Sequence, residues 1–121
     1  MRFAIAYRER EFRLWSYVPS HSRLLLRSGR ETSGTTRIDI AFGDVSAVSL
    51  PVLMDGLTVE QPDAQATHDV AARLGPRAQL DDLLILRGHG YHGYVLASLV
   101  EVDESDRPLW EPDKWGICSP G

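Results

Sequence analysis

The chain is poor in cysteine and in lysine, and it has no long apolar run. Its 121 residues include one cysteine, Cys118, so no disulfide forms within the chain. This excludes the small secreted scaffolds that several disulfides hold together. No window approaches the roughly 18 apolar residues that a membrane-spanning helix needs. Any apolar run long enough for a secretory signal is interrupted by Arg2, Arg8, Arg10 and Arg13. We therefore expect a cytoplasmic protein without a membrane segment.

Familiar catalytic motifs are also missing. There is no Gly-x-Ser-x-Gly nucleophile elbow and no lysine-bearing phosphate loop. The acidic run 101–106 lacks the glycine-bearing twelve-residue pattern of a calcium loop, and a solvated loop explains it. Cys118 lies among serine and proline, with no helix start beside it that would mark a nucleophile. The sequence therefore assigns no catalytic residue, and no specific motif in it implies a cofactor.

Length and composition indicate one ordinary globular domain, 1–121. The chain is 43% apolar and 25% charged, which argues against disorder. Short apolar runs separated by turn residues predict an α+β fold, predominantly β. We expect a curved antiparallel sheet, a barrel or a sandwich, of about six to eight strands with one helix near 63–74. Residues 103–121 are expected to form an irregular C-terminal cover whose Trp110 and Trp115 pack against the sheet.

Alternation of apolar and polar residues places the strands. The first two are predicted to form an antiparallel hairpin around turn residues that begin at Pro19. Asp55-Gly56 favours the positive dihedral angles of a second tight hairpin turn. The last strand is the longest and carries apolar residues on both faces, so we expect it to be central. The predicted strands are 12–18, 23–28, 37–42, 45–54, 57–60, 83–87 and 91–102.

One helix is predicted between about Asp63 and Leu74. Asp63 or Thr67 can cap its first amide groups, and Gly75-Pro76 supplies a stop signal. A narrow apolar stripe along this segment is consistent with a helix that lies on one side of a sheet.

Charge is distributed unevenly along the chain. Residues 1–37 carry eight arginines against three glutamates, a balance of +5, and residues 38–121 carry a balance of −9. The two halves either neutralise each other within the fold or present a basic surface to an acidic partner. Because a net charge of −4 matches a phosphate backbone poorly, the sequence favours local neutralisation and argues against nucleic acid as the partner.

Five residues of the first hairpin are the candidate binding residues: Arg13, Trp15, Tyr17, Arg23 and Arg27. If they share one face, the aromatic rings lie between arginines, as a platform for stacked bases requires. In the favoured alternative, Trp15 and Tyr17 form a second apolar face that the helix or the tail covers.

Two histidines three residues apart, His89 and His92, are the candidate metal ligands. They lie in a glycine-rich turn, and a metal site needs at least one or two further ligands. The spacing does not select among the other available groups, and a solvated turn explains the same residues. Those groups are His21, His68, Asp81, Asp82 and Asp103.

The missing motifs favour a small non-enzymatic binding or protein-interaction domain, which recognises a protein partner or a second copy of itself. One alternative is a small metal- or ligand-binding β-barrel enzyme with a pocket near His89 and His92. Another is a domain that binds single-stranded nucleic acid through the Arg13–Arg27 hairpin.

Overall fold

The structure, a computed structural model, describes residues 5–30 and 36–116. Cys118 and the rest of the expected cover beyond residue 116 lie outside these ranges, as do residues 31–35 of the polar loop that follows the first hairpin. No helix within them is long and apolar enough to cross a membrane.

In the residues that the structure describes, eight antiparallel strands form one sheet. Their order across the sheet is β4-β7-β6-β5-β1-β2-β3-β8, and the sheet is not closed into a barrel. With the helix α1 at Ala64–Leu74, the fold is α+β and predominantly β, as predicted. The strands are β1 (Ile5–Val18), β2 (Arg23–Ser28), β3 (Arg37–Gly43), β4 (Ala47–Ser49), β5 (Leu53–Glu60), β6 (Leu83–Gly88), β7 (Tyr91–Leu96) and β8 (Leu99–Ser105).

The sheet is folded so that its two halves approach each other at one end. The chain passes from β3 to β4 within three residues, although these strands lie toward opposite edges of the sheet. We call the place where the chain passes from one half of the sheet to the other the crossing. Two backbone hydrogen bonds fix it, from Ser98 N to Gly43 O at 3.2 Å and from Ser46 N to Leu96 O at 2.9 Å. The inner face thereby encloses the main apolar core, to which both halves contribute. Its fully buried members include Phe12, Leu24, Leu26, Ile40, Phe42, Leu57, Leu86 and Val95.

The helix α1 begins and ends where the sequence predicts. Asp63 is its N-cap, and the Oδ1 atom of Asp63 accepts a hydrogen bond from Ala66 N at 2.8 Å. Gly75 follows the last turn with a φ of 84°, a conformation that favours glycine, and donates its N–H to Ala71 O. Buried Val70 anchors α1 on the outer face of β6 and β7.

A second element covers the outer face at the other end of the sheet. We call residues 106–116 the C-terminal strap, because they run without regular structure across β1, β2 and β3. Within the strap, Trp115 packs against Leu25 and Ala41 of the outer face. The strand β8 continues to Ser105, so the irregular segment begins three residues later than expected.

The dipeptide Asp55-Gly56 does not form a hairpin turn. It lies within β5 opposite β1, at a shift of register between the pair Tyr7–Leu57 and the pair Glu11–Asp55. Gly56 has a positive φ of 76°, as the dipeptide indicates, but this conformation serves a bulge. The prediction of a turn fails because a positive φ at glycine is used both by tight turns and by bulges, so the dipeptide does not distinguish them.

Two segments that were expected to be single strands are divided. Residues 45–54 split into β4 and the beginning of β5, and residues 91–102 split into β7 and β8, which lie in opposite halves of the sheet. The prediction of a long central strand is therefore wrong: β8 is an edge strand, and β1 with 14 residues is the longest. Ala97 at the crossing is itself buried, so the apolar pattern does not reveal the break.

Candidate interaction site

A buried ionic cluster lies on the outer face of β2 and β3. Arg27 and Asp39 are register partners, and their Nε and Oδ1 atoms are 2.8 Å apart. A second contact joins Arg27 Nη2 to Asp39 Oδ2 at 3.2 Å, and Arg37 Nη2 reaches the same oxygen at 3.2 Å. Each of these side chains is at most 1% exposed. Two guanidinium groups thus share one carboxylate, and their other N–H groups need further acceptors.

The C-terminal strap supplies acceptors for the Nη groups from its backbone, whereas the buried Arg37 Nε has no hydrogen-bond partner among the described residues. Arg27 Nη1 donates to Leu109 O at 2.8 Å. Arg37 Nη1 donates to Pro108 O at 2.7 Å and to Glu111 O at 2.8 Å, and its Nη2 donates to Pro112 O at 3.2 Å. Burial lowers the pKa of Arg37, and the charge of Asp39 acts in the opposite direction. The buried arginines therefore fix the strap through its main chain, and these hydrogen bonds do not involve the side chains of the strap.

The strap places an exposed tryptophan above this cluster. The guanidinium carbon of Arg27 lies 4.9 Å from the centroid of the Trp15 ring, a cation–π arrangement. Trp110 in turn packs on Trp15 with the two ring centroids 5.1 Å apart and the planes tilted by 51°. Trp110 was expected to pack against the sheet, and its ring does contact Trp15 of β1, yet the residue is 81% exposed.

A groove of about 610 Å³ runs beside the two tryptophans, and Val52, Pro112 and Arg13 also line it. Val52 is 66% exposed. Arg13 is exposed and forms no ion pair with any residue in the described ranges. We use the name tryptophan patch for Arg13, Trp15, Val52, Leu53 and Trp110.

Strand register explains why these groups are neighbours. One row crosses five strands of the outer face, with each residue paired to the next: Leu53, Arg13, Arg27, Asp39 and Asp103. The row begins at the exposed apolar side chain of Leu53, continues through the exposed cation Arg13 and reaches the buried ion pair of Arg27 and Asp39. It ends at Asp103, which lies 3.8 Å from Lys114 Nζ of the strap. Arg27 from the basic half of the chain thus neutralises Asp39 from the acidic half at the covered end of the row. Arg13 stays exposed to solvent.

Three of the five predicted binding residues come together here, namely Arg13, Trp15 and Arg27. A bulge after Leu14 pairs Tyr17 with the core residue Leu24, which turns Tyr17 away from the outer face. Arg23 shares the face of Arg27 but pairs with Val18 at the far end of the hairpin. Because Arg27 is buried and bonded to Asp39, it offers no contact to an external phosphate.

The two predicted metal ligands lie in different places. His89 is in the β6–β7 turn, where its Nε2 atom is 3.2 Å from Arg8 O. His92 lies on β7 and lines a groove beside α1 instead. Across residues 5–30 and 36–116, no group of three or more His, Cys, Asp or Glu side chains is placed to hold a metal ion.

The segment Gly88–Gly93 contains the spacing Gly-x-Gly-x-x-Gly, which in nucleotide-binding proteins opens a helix after a strand. Here it forms an antiparallel hairpin, with Gly88 paired to Tyr91. A Cβ atom on Gly88 would collide with the carbonyl oxygen of Gly56 and with the Tyr91 ring. The glycine spacing therefore serves close packing within the sheet.

Sequence reasoning missed Trp110, Val52 and Leu53 as site residues. The one signal present was the combination of prolines and tryptophans in the tail, which was interpreted as a cover. Comparisons of the chain with protein-family models, with curated proteins and with solved structures found no match, so no relative supplies a family or a function.

Proposed function

We propose that the protein is a non-enzymatic interaction domain of the cytoplasm that binds an extended segment of a partner protein at the tryptophan patch. The observation that carries the proposal is Trp110, a large apolar side chain that is 81% exposed although its ring packs on Trp15. Tryptophan and arginine are the residues on which binding energy at protein interfaces most often concentrates. An exposed apolar patch beside polar groups is typical of such interfaces.

Preorganisation supports this assignment. The main chain on both sides of Trp110 is bonded to buried arginines, through Leu109 O to Arg27 and through Glu111 O to Arg37. The Trp110 ring also rests on Trp15. A side chain that is already ordered loses little conformational entropy when a partner covers it. The patch is thus suited to binding without rearrangement.

The charge of the patch indicates what the partner segment carries. Arg13 is an exposed cation without an ion pair in the described part of the chain, and it borders the apolar groove formed by Val52 and the two tryptophans. A matching segment places an apolar side chain in the groove and an aspartate or glutamate against Arg13. Nucleic acid fits less well, because Arg27 is buried and Glu111 also lines the groove.

A displayed library of random peptides tests the proposal. Selection on the wild-type protein should enrich peptides in which an apolar residue lies next to an acidic one. Trp110→Ala should weaken their binding about thirtyfold, the equivalent of about 2 kcal/mol. Tyr17→Ala is the matched control, because it removes an exposed aromatic side chain that the bulge turns to the other face.

Three outcomes would contradict the proposal. The first is that peptides bind Trp110→Ala as tightly as the wild type. The second is that Tyr17→Ala weakens binding equally. The third is a stable homodimer in native mass spectrometry that Trp110→Ala dissociates, which would assign the patch to self-association.

A further inference from the structure

We propose that a second site, the groove between α1 and strands β4 and β7, binds a small molecule through an oxyanion group, either phosphate or carboxylate. We call it the helix groove. Its volume is about 560 Å³, within the range of roughly 300–1,000 Å³ that is usual for small-molecule sites. It lies over β6 and β7, whereas the tryptophan patch lies over β1 and β5, so this inference does not depend on the proposed interaction function.

Packing of α1 explains why the groove exists. Val70 is the buried anchor of the helix, and it contacts the outer face formed by Leu83, Ile85 and Leu96. The helix wall beside this anchor carries short side chains, including Ala66 and Ala72. A helix seated by Val70 and Leu74 and flanked by alanines leaves open space between its polar side chains and the sheet.

Hydrogen-bond donors converge on this space from both walls. His92 and half-buried Tyr94 lie on β7, and His68 and Arg73 lie on α1. Within the described part of the chain, none of these four side chains has a hydrogen-bond or ion-pair partner. The tyrosine hydroxyl and the guanidinium group donate at neutral pH, and an imidazole has at least one N–H.

Each of the two acidic side chains that line the groove accepts one hydrogen bond through its Oδ1 atom. Asp63 Oδ1 accepts the N-cap hydrogen bond from Ala66 N. Asp69 Oδ1 accepts a hydrogen bond from Gln65 Nε2 at 2.9 Å. The four side chains without a partner in the described part of the chain are donors, and one of them, Arg73, is a cation. A ligand that supplies several acceptor oxygens and negative charge satisfies them best.

Calorimetric titration of the whole protein with inorganic phosphate and with citrate, at matched ionic strength, tests the inference. Saturable binding of either probe is expected, and the stronger probe distinguishes a phosphate ligand from a carboxylate ligand. Arg73→Gln and Tyr94→Phe should each lower the affinity about tenfold, since each removes a donor to a charged acceptor.

Two controls make the result specific. Arg77→Gln removes an exposed arginine close in sequence that does not line the groove, and it should leave the affinity unchanged. Trp110→Ala should also bind the probe normally. The inference is overturned if neither probe binds saturably, or if binding persists undiminished in correctly folded Arg73→Gln and Tyr94→Phe.

Discussion

Trp110 packs its ring on Trp15 with the centroids 5.1 Å apart, and 81% of Trp110 still faces solvent. The two tryptophans therefore have different roles. Trp15 lies half-buried over Arg27 and contributes to the apolar cluster around Leu25, whereas Trp110 contributes mainly surface. The different roles predict different losses in the free energy of unfolding when each tryptophan is replaced by alanine.

We expect Trp110→Ala to change the free energy of unfolding by less than about 1 kcal/mol, because it removes one ring contact at an exposed position. Trp15→Ala should cost about 2 kcal/mol or more, because it uncovers Arg27 and leaves a gap beside Leu25. Urea denaturation of both variants provides the comparison. Equal losses in the two variants would show that Trp110 is a structural residue.

Asp39 is the only acidic side chain bonded to the two buried arginines among the residues described. Asp39→Asn should therefore lower the free energy of unfolding by about 3–5 kcal/mol, since it removes the carboxylate that is bonded to both buried cations. Asp81→Asn, at an exposed position, is the matched control and should have little effect. A loss in Asp39→Asn no greater than that of the control would mean that the strap carbonyls alone stabilise both arginines.

Tyr91 predicts a dependence of stability on alkaline pH. Its hydroxyl donates to Gly56 O at 2.6 Å, and burial, together with the nearby charge of Asp55, raises the pKa of Tyr91 to about 12. The unfolded side chain loses its proton near pH 10. The stability that Tyr91 contributes is therefore fully present below about pH 10 and is lost as the pH rises toward 12.

Tyr91→Phe tests this dependence by urea denaturation at pH 8 and pH 11. The variant should be less stable at pH 8, by about 0.5–1.5 kcal/mol for the lost hydrogen bond. It should also lose less stability than the wild type between the two pH values. An identical loss in both proteins would place the alkaline dependence elsewhere, for example at Tyr7, whose pKa burial also raises.

Local features of the fold could be predicted from the sequence. The helix 63–74 has its own cap and stop signals, and the β1–β2 hairpin has its own turn, so each is encoded within a short segment. The crossing at Ala97 and the bulge at Gly56 depend on which distant strand each segment meets. Periodicity and turn propensity carry no information about that partner.

The site was predictable only in part, for the same reason. Arg13, Trp15 and Arg27 share a hairpin, so their alternation brought them together in the prediction. Trp110 reaches Trp15 only because Arg27 and Arg37 bind carbonyl groups more than 70 residues away, a contact that no local pattern encodes. Burial of Arg27 by that strap also removed it from the binding surface to which the sequence assigned it.

The most direct test of the tryptophan patch uses the three indole N–H signals of the ¹⁵N-labelled protein, those of Trp15, Trp110 and Trp115. During titration with a selected peptide, the Trp110 signal should move most and the Trp15 signal next. The Trp115 signal should move least, because its Nε1 donates to Glu101 at 3.0 Å and its ring does not line the groove. A peptide that binds while Trp110 stays still, or that moves Trp115 most, would contradict the assignment of the patch as the binding site.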